Sequence, residues 1–163
     1  MSFPEILSQL RKFRAGIAGA GGLGSNCAAA LARSGIGTLV VADYDIVEQA
    51  NLNRQYFFTD QIGLDKTDAL KANIHRIDPA VNVIVHNLKL DENNIPLVFE
   101  GCDVIIEALD SAEMKAMLIE TVQLKMPGVP VISGSGLAGY GKNDTLRSRK
   151  IDDTLYVCGD EST

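Results

Sequence analysis

Apolar residues follow two alternating rhythms along this chain. Short apolar runs at residues 15–18, 38–42, 81–86, 104–108 and 129–133 have the length and β-branched content of strands. Between them the spacing turns helical, at residues 4–14, 23–34, 63–77, 93–100 and 112–125. Ile6, Leu7, Leu10 and Phe13 share one side of the first helix. The second is alanine-rich and apolar all round, as a well-buried helix would be. Gly35 and Gly37 end it, Asp78-Pro79 stops the third, and Pro127-Gly128 closes the last. The run Thr-Leu-Val-Val-Ala at 38–42 leaves no polar face, which predicts a strand of a parallel sheet covered on both sides. Regular strand–helix alternation predicts an α/β fold, a doubly wound, mostly parallel Rossmann-like sheet. Beyond Gly134-Ser135-Gly136 the pattern changes. Short polar–apolar alternations at 137–157 predict antiparallel strands, a C-terminal extension of that sheet.

Length adds one expectation. The 163 residues suit one domain with a single core, residues 1–163. The chain stops at Cys158-Gly159-Asp160-Glu161-Ser162-Thr163, directly after a strand, so a C-terminally incomplete piece of a longer protein is expected. The net charge of −6 argues against a general nucleic-acid or anionic-membrane surface. No apolar run reaches the ~18–20 residues of a membrane span, and the N-terminus lacks a signal-peptide pattern. Three cysteines without a Cys-x-x-Cys pair give no zinc framework and fit a reducing compartment, so a cytoplasmic enzyme is expected.

The candidate chemistry begins at Gly19-Ala20-Gly21-Gly22-Leu23-Gly24, after an expected strand and before an expected helix. In such a turn Gly19 would allow the tight bend. Gly21 and Gly22 would let backbone approach a phosphate, and Gly24 would let helix and strand pack closely. Backbone N–H groups and the helix dipole then hold the anion. Asp43 ends the second strand, where a carboxylate can accept from ribose hydroxyls. The same glycines kept for packing alone are the bland alternative, and the motif does not distinguish NAD, FAD and ATP.

The segment Asn51-Leu52-Asn53-Arg54-Gln55 narrows the choice. With the glycine turn, Asp43-Tyr44-Asp45, Ile62-Gly63, Lys66, Glu107-Ala108-Leu109-Asp110 and Val131-Ile132-Ser133-Gly134, it resembles the ThiF/MoeB/HesA family of ubiquitin-activating-enzyme-like adenylyltransferases. The match runs over residues 15–157 and looks closest to the compact ThiF-like branch. The resemblance implies an enzyme that uses ATP and Mg²⁺ to adenylate the C-terminal glycine of a small ubiquitin-fold sulfur carrier, ThiS-like, for thiamine thiazole synthesis. It implies Asp43 on the ribose, and Asn51, Arg54, Gln55 and Lys66 around the phosphates. It also implies Asp110 on Mg²⁺ and a homodimer. Arg54, Lys66 and Asp110 would carry the catalysis.

Elementary chemistry agrees. Attack of a carboxylate on the α-phosphorus needs no acid–base pair, because the nucleophile is already ionised. It needs positioning and cancellation of charge. Arg54 offers a donor fork, Lys66 a point charge, and Asp110 the single carboxylate that Mg²⁺ takes alongside phosphate oxygens. Taken singly, Arg54 reads equally as a solvated loop charge, Lys66 as a helix-face lysine, and Asp110 as a helix cap.

The chain also departs from the family. MoeB-like relatives carry an Arg-x-x-Arg segment well before the first strand. Here only Arg11, Lys12 and Arg14 stand near that position, and they read as a helix end. Cys158 lies where longer relatives carry a reactive cysteine, but nothing in the sequence supplies it with a base. Cys27 and Cys102 read as core residues, His75 and His86 as structural or exposed, and Asp91 with Glu92 as a loop start. Ser133-Gly134-Ser135-Gly136 reads as a close-packed bend, not a nucleophile turn. Three competing functions remain: an adenylating enzyme for another acyl substrate (a MoaD-type carrier, a peptide C-terminus or a tRNA-borne carboxylate, the last disfavoured by the acidic charge), an NAD-binding oxidoreductase, and a catalytically dead carrier-docking module. The oxidoreductase leaves Arg54 and Lys66 without a task. The dead module leaves Asp43, Arg54, Lys66 and Asp110 without a reason to occur together.

Overall fold

In the computed structural model, which describes residues 2–135 and 146–160, the expected strands join one seven-stranded sheet. In chain order the elements are α1 (Phe3–Leu10), β1 (Arg14–Ala18), α2 (Gly22–Ser34), β2 (Thr38–Asp43), α3 (Lys66–Ile77), β3 (Asn82–Asn87) and α4 (Ile95–Val98). They continue with β4 (Val104–Glu107), α5 (Ala112–Lys125), β5 (Val131–Ser135), β6 (Arg147–Lys150) and β7 (Leu155–Gly159). The sheet order is β3-β2-β1-β4-β5-β7-β6. All neighbours are parallel except β6 and β7. The doubly wound, mostly parallel sheet is therefore present, with the antiparallel pair at its end. β7 itself runs parallel to β5 and extends the main sheet, while β6 is the reversed edge.

From β1 the chain builds outward to β2 and β3, then returns to the other side of β1 for β4, β5 and β7. The winding direction reverses between β1 and β4. In an open α/β sheet the crevice beyond the carboxyl ends of the strands at that reversal is where ligands bind. Both faces are covered there because β2 is apolar throughout: Leu39 and Val41 join one core with α2 and α3, and Val40 and Ala42 the other with α4 and α5.

Four boundaries differ from the sequence pattern, each for a local reason. The first helix ends at Leu10, because Arg14 is already paired with Thr38 in the sheet. The helix expected from residue 63 begins at Lys66, because Gly63 has a left-handed φ of 88° that no helix interior accepts. The helix at 93–100 is a single turn, Ile95–Val98. α2 is buried along one face only, through Gly24, Ser25, Ala28, Ala29 and Ala32, and Leu23 stays exposed. Gly136 and residues 137–145 of the expected antiparallel segment lie outside the described residues.

Candidate active site

The glycine turn sits at the carboxyl end of β1, at the reversal point. Gly19 has φ +96°, and a Cβ there would stand 2.8 Å from the Ala108 carbonyl oxygen. A Cβ on Gly24 would fall on the Gly19 carbonyl oxygen, closer than any van der Waals contact. These two glycines are therefore required by the protein's own packing. Gly21 and Gly22 are different. Their nearest neighbours would be the Gln55 amide nitrogen at 3.9 Å and the Arg54 Cγ at 3.6 Å, ordinary contacts. The protein's own packing therefore does not demand glycine at these two positions, which stand at the N-terminal end of the thirteen-residue helix α2.

Asp43 faces this turn. Its Oδ2 accepts from the Ala20 N–H at 2.6 Å and its Oδ1 from the Asp45 N–H at 2.8 Å. The carboxylate is thus fixed at the end of β2, with lone pairs left for further donors.

The Asn-Arg-Gln segment lies in the crossing between β2 and α3, residues 44–65, and polar bonds from both neighbouring helices hold it down. From α2, the Ser25 hydroxyl accepts the Tyr56 N–H at 2.9 Å, and the Asn26 amide donates to the carbonyls of Gly22 at 2.6 Å and Arg54 at 2.8 Å. From α3, the buried Asn73 and Gln61 amides bond each other, and Asn73 also donates to the Tyr56 carbonyl at 2.9 Å. Arg54 and Gln55 are thereby pinned above Gly21 and Gly22. Arg54 is exposed, and its Nη1 donates to the Ala50 carbonyl and to Asn53 Oδ1. Gln55 is only 9% exposed, and its buried Oε1 has no hydrogen-bond partner. An unmet buried acceptor is costly, and phosphate oxygens, which only accept, would bond the Gln55 amide N–H and not this oxygen.

Asn51 closes a 3₁₀ turn, accepting the Glu48 N–H through Oδ1 at 2.8 Å. Beside it, Asp45, Ile46, Glu48, Asn51 and Lys66 line a cleft of about 190 Å³. Lys66 is 5% exposed, and its ammonium meets Asp45 Oδ2 at 2.7 Å. An ammonium has three protons, so one carboxylate does not exhaust it. Asp45 is half-exposed and free to give way to a stronger anion.

Asp110 lies past the end of β4, on the segment that brings the Ala108 carbonyl against Gly19. Its carboxylate is exposed. Ser111, not Asp110, caps α5, accepting the Met114 N–H. The capping reading of Asp110 therefore fails. No group of three or more metal-ligating side chains occurs among the described residues.

Sequence reasoning missed three groups. Asp45 was seen only as part of an acidic strand end. Ser25 and Asn26 were legible as polar residues in an otherwise apolar helix start. Buried Glu107 accepts from the Leu109 N–H at 2.7 Å, from the Ser133 hydroxyl at 2.6 Å, and from Lys115 at 2.9 and 3.1 Å. Glu107 was noted only within a motif, and Lys115 lies eight residues away on α5.

The remaining candidates fall outside the site. Arg11 pairs with Asp78 at 2.5 Å, and Arg14 opens β1 at the end opposite the glycine turn. Asp91 accepts the N–H groups of Asn93 and Asn94, as a loop start does. Burial pushes the Cys27 and Cys102 thiols above their ordinary value, as inert core cysteines. Cys158 is half-buried, with Sγ 3.2 Å from the Ser148 hydroxyl.

With this geometry in place, comparison with known proteins is decisive for the family. The ThiF family model matches residues 3–160. The chain belongs to the ThiF family. It is 34% identical over 127 residues to the adenylyltransferase and sulfurtransferase MOCS3 of Caenorhabditis briggsae, covering 77% of this chain and 31% of that protein. It is 33% identical over 144 residues to the SAMP-activating enzyme E1 of Haloferax volcanii, covering 88% and 53%. This ThiF-family chain thus spans about a third to about half the length of these curated relatives. Among solved structures, the E. coli tRNA N6-threonylcarbamoyladenosine dehydratase TcdA in complex with ATP shares the fold, with a TM-score of 0.86 at 24% identity over 95% of this chain and 75% of that one. PaaA superposes with a TM-score of 0.70 at 32% identity, over 79% of this chain and 42% of that one. No helix among the described residues is long and apolar enough to cross a membrane.

Proposed function

We propose that this chain binds Mg-ATP and adenylates the C-terminal glycine of a small ubiquitin-fold sulfur carrier, ThiS-like, in thiamine thiazole synthesis. The observation that carries this reading is the glycine turn at the α2 N-terminus, at the reversal point of the sheet, with the Asp43 carboxylate bonded to it and Arg54 beside it. The adenylyltransferase names of the relatives support it.

The carrier's carboxylate oxygen attacks the α-phosphorus. The bond from that phosphorus to the bridging oxygen breaks, and the electron pair leaves with pyrophosphate. The product is an acyl adenylate, and no proton moves in the step. Asp43 holds the ribose, the N–H groups of the glycine turn face the phosphates, Arg54 and Lys66 neutralise charge on the leaving side, and the Asn51 amide donates to it. Asp110 would hold Mg²⁺, which would supply further charge cancellation on the phosphate oxygens.

The carrier's tail has a candidate path. On the sheet face that carries α2, Ile132 and Tyr156 are register partners and both exposed. Gly134 and Cys158 follow as the next pair on that face. A Cβ at Gly134 would come 2.7 Å from the end of the Leu23 side chain, so a larger residue there would displace that exposed leucine across the proposed path. A tail of small residues suits it. The carrier's globular face would dock separately, with charge mainly setting its encounter rate. We further propose a homodimer through the nucleotide-binding domain. Light scattering on the protein checks it, and a monomer at micromolar concentration overturns it.

Calorimetric titration tests the cofactor: Mg-ATP binds and NAD does not. Tight NAD binding without a response to ATP would make the chain an oxidoreductase-type Rossmann protein. Pyrophosphate exchange with ThiS-like and MoaD-like carriers then tests the acyl substrate. Exchange only with a MoaD-type carrier moves the assignment to that neighbouring reaction.

A further inference from the structure

Glu107 is a carboxylate with no solvent exposure, at the carboxyl end of β4. Besides the Leu109 N–H and the Ser133 hydroxyl, it receives both its remaining bonds from Lys115, whose ammonium also donates to the Gly134 carbonyl at 3.2 Å. Glu107 and Ser133 are register partners on adjacent strands. One ion pair therefore ties together two strand exits. The β4 exit leads through the Leu109 N–H to Asp110, and the β5 exit is the Gly134 passage.

A buried ion pair is weak evidence for stability. Well-packed neutral residues hold a fold as well, whereas removing one partner alone strands a charge. What the pair does contribute is geometry, because four directed bonds converge on one carboxylate. We infer that Glu107 and Lys115 are positioning residues that fix Asp110, and thus the metal, relative to the glycine passage followed by the acyl substrate. This rests on the function proposed above. Lys115 is itself partly exposed, so the network reaches the edge of the crevice.

The double variant Glu107→Gln, Lys115→Met removes both charges at once and avoids an unpaired one. ATP affinity is measured by calorimetry with Mg²⁺ and again with a chelator. In the unaltered protein Mg²⁺ tightens ATP binding. In the double variant that gain falls about tenfold, the low end of what losing an outer-shell partner costs a metal site, while affinity with chelator and the melting temperature stay near the original. Lys115→Arg, which keeps the cation, retains the Mg²⁺ gain. An undiminished Mg²⁺ gain in the double variant overturns the positioning role. Equal weakening with and without Mg²⁺ also overturns it, since that is a general structural effect. An unaltered protein that fails to bind ATP at all sinks the proposed function, and this inference with it.

Discussion

Asp110→Ala, Arg54→Ala and Lys66→Ala each lower carrier adenylation at least about a hundredfold, the scale of losing one transition-state charge partner. The three differ in what else they disturb, and the differences make the test sharp. Arg54 is exposed and its Nη1 bonds only within its own loop, so its removal leaves the sheet and both cores intact. Asp110 is exposed and caps nothing, since Ser111 does that work, so its removal also leaves the fold alone. Lys66 is buried, but Asp45 is half-exposed and water solvates it once the ammonium is gone. Thermal melts therefore separate lost chemistry from lost structure. Asp43→Ala behaves differently: it chiefly raises the ATP requirement, because ribose contacts are made equally in ground and transition states. Near-normal turnover of Asp110→Ala at saturating Mg²⁺ would remove the metal role. Near-normal turnover of Arg54→Ala would mean that its guanidinium never leaves the Ala50 carbonyl.

The order of elements and the parallel sheet were legible because apolar runs such as 38–42 leave no polar face and admit only a doubly covered strand. The glycine turn was legible because its context, strand before and helix after, restricts the meaning of its spacing. The end of the sheet was harder to read. Alternation at 137–157 suggests strands and leaves their direction open, and β7 runs parallel to β5 because of where the chain crosses, which no local pattern records. In the site, Asp43 and the Asn-Arg-Gln segment carry their own signature. The partners that fix them do not. Asn26, Asn73 and Gln61 act across 12 to 28 residues of sequence, and Glu107 meets Ser133 across 26. Their bonds follow from tertiary packing alone. The start of α3 was misplaced because apolar periodicity runs back through Leu64 and Ile62, whereas Gly63 takes a left-handed turn that periodicity cannot show.

Gly24→Ala and Gly22→Ala have opposite consequences, although they are two residues apart in the same turn. At Gly24 the added methyl would land on the Gly19 carbonyl. Gly19 cannot retreat, because its own Cα faces the Ala108 carbonyl and its N–H is bonded to the Ala42 carbonyl at 2.8 Å. Backbone stands on both sides, with no flexible side chain to yield, so α2 must shift away from β1. That is overpacking, which destabilises by about 1–3 kcal/mol. For a domain of this size it lowers the melting temperature by several degrees, roughly 2–4 °C per kcal/mol. The shift also carries the helix N-terminus off the phosphate position, so ATP affinity falls with stability. At Gly22 the methyl would meet only the Arg54 stem at 3.6 Å. The fold therefore melts as before, and ATP binding alone weakens, because the methyl occupies the space a phosphate needs. Melting curves and calorimetry on the two variants give the comparison. An unchanged melt for Gly24→Ala would refute the close packing of turn and helix. Undiminished ATP affinity for Gly22→Ala would mean that the nucleotide does not approach the backbone at the second half of the turn.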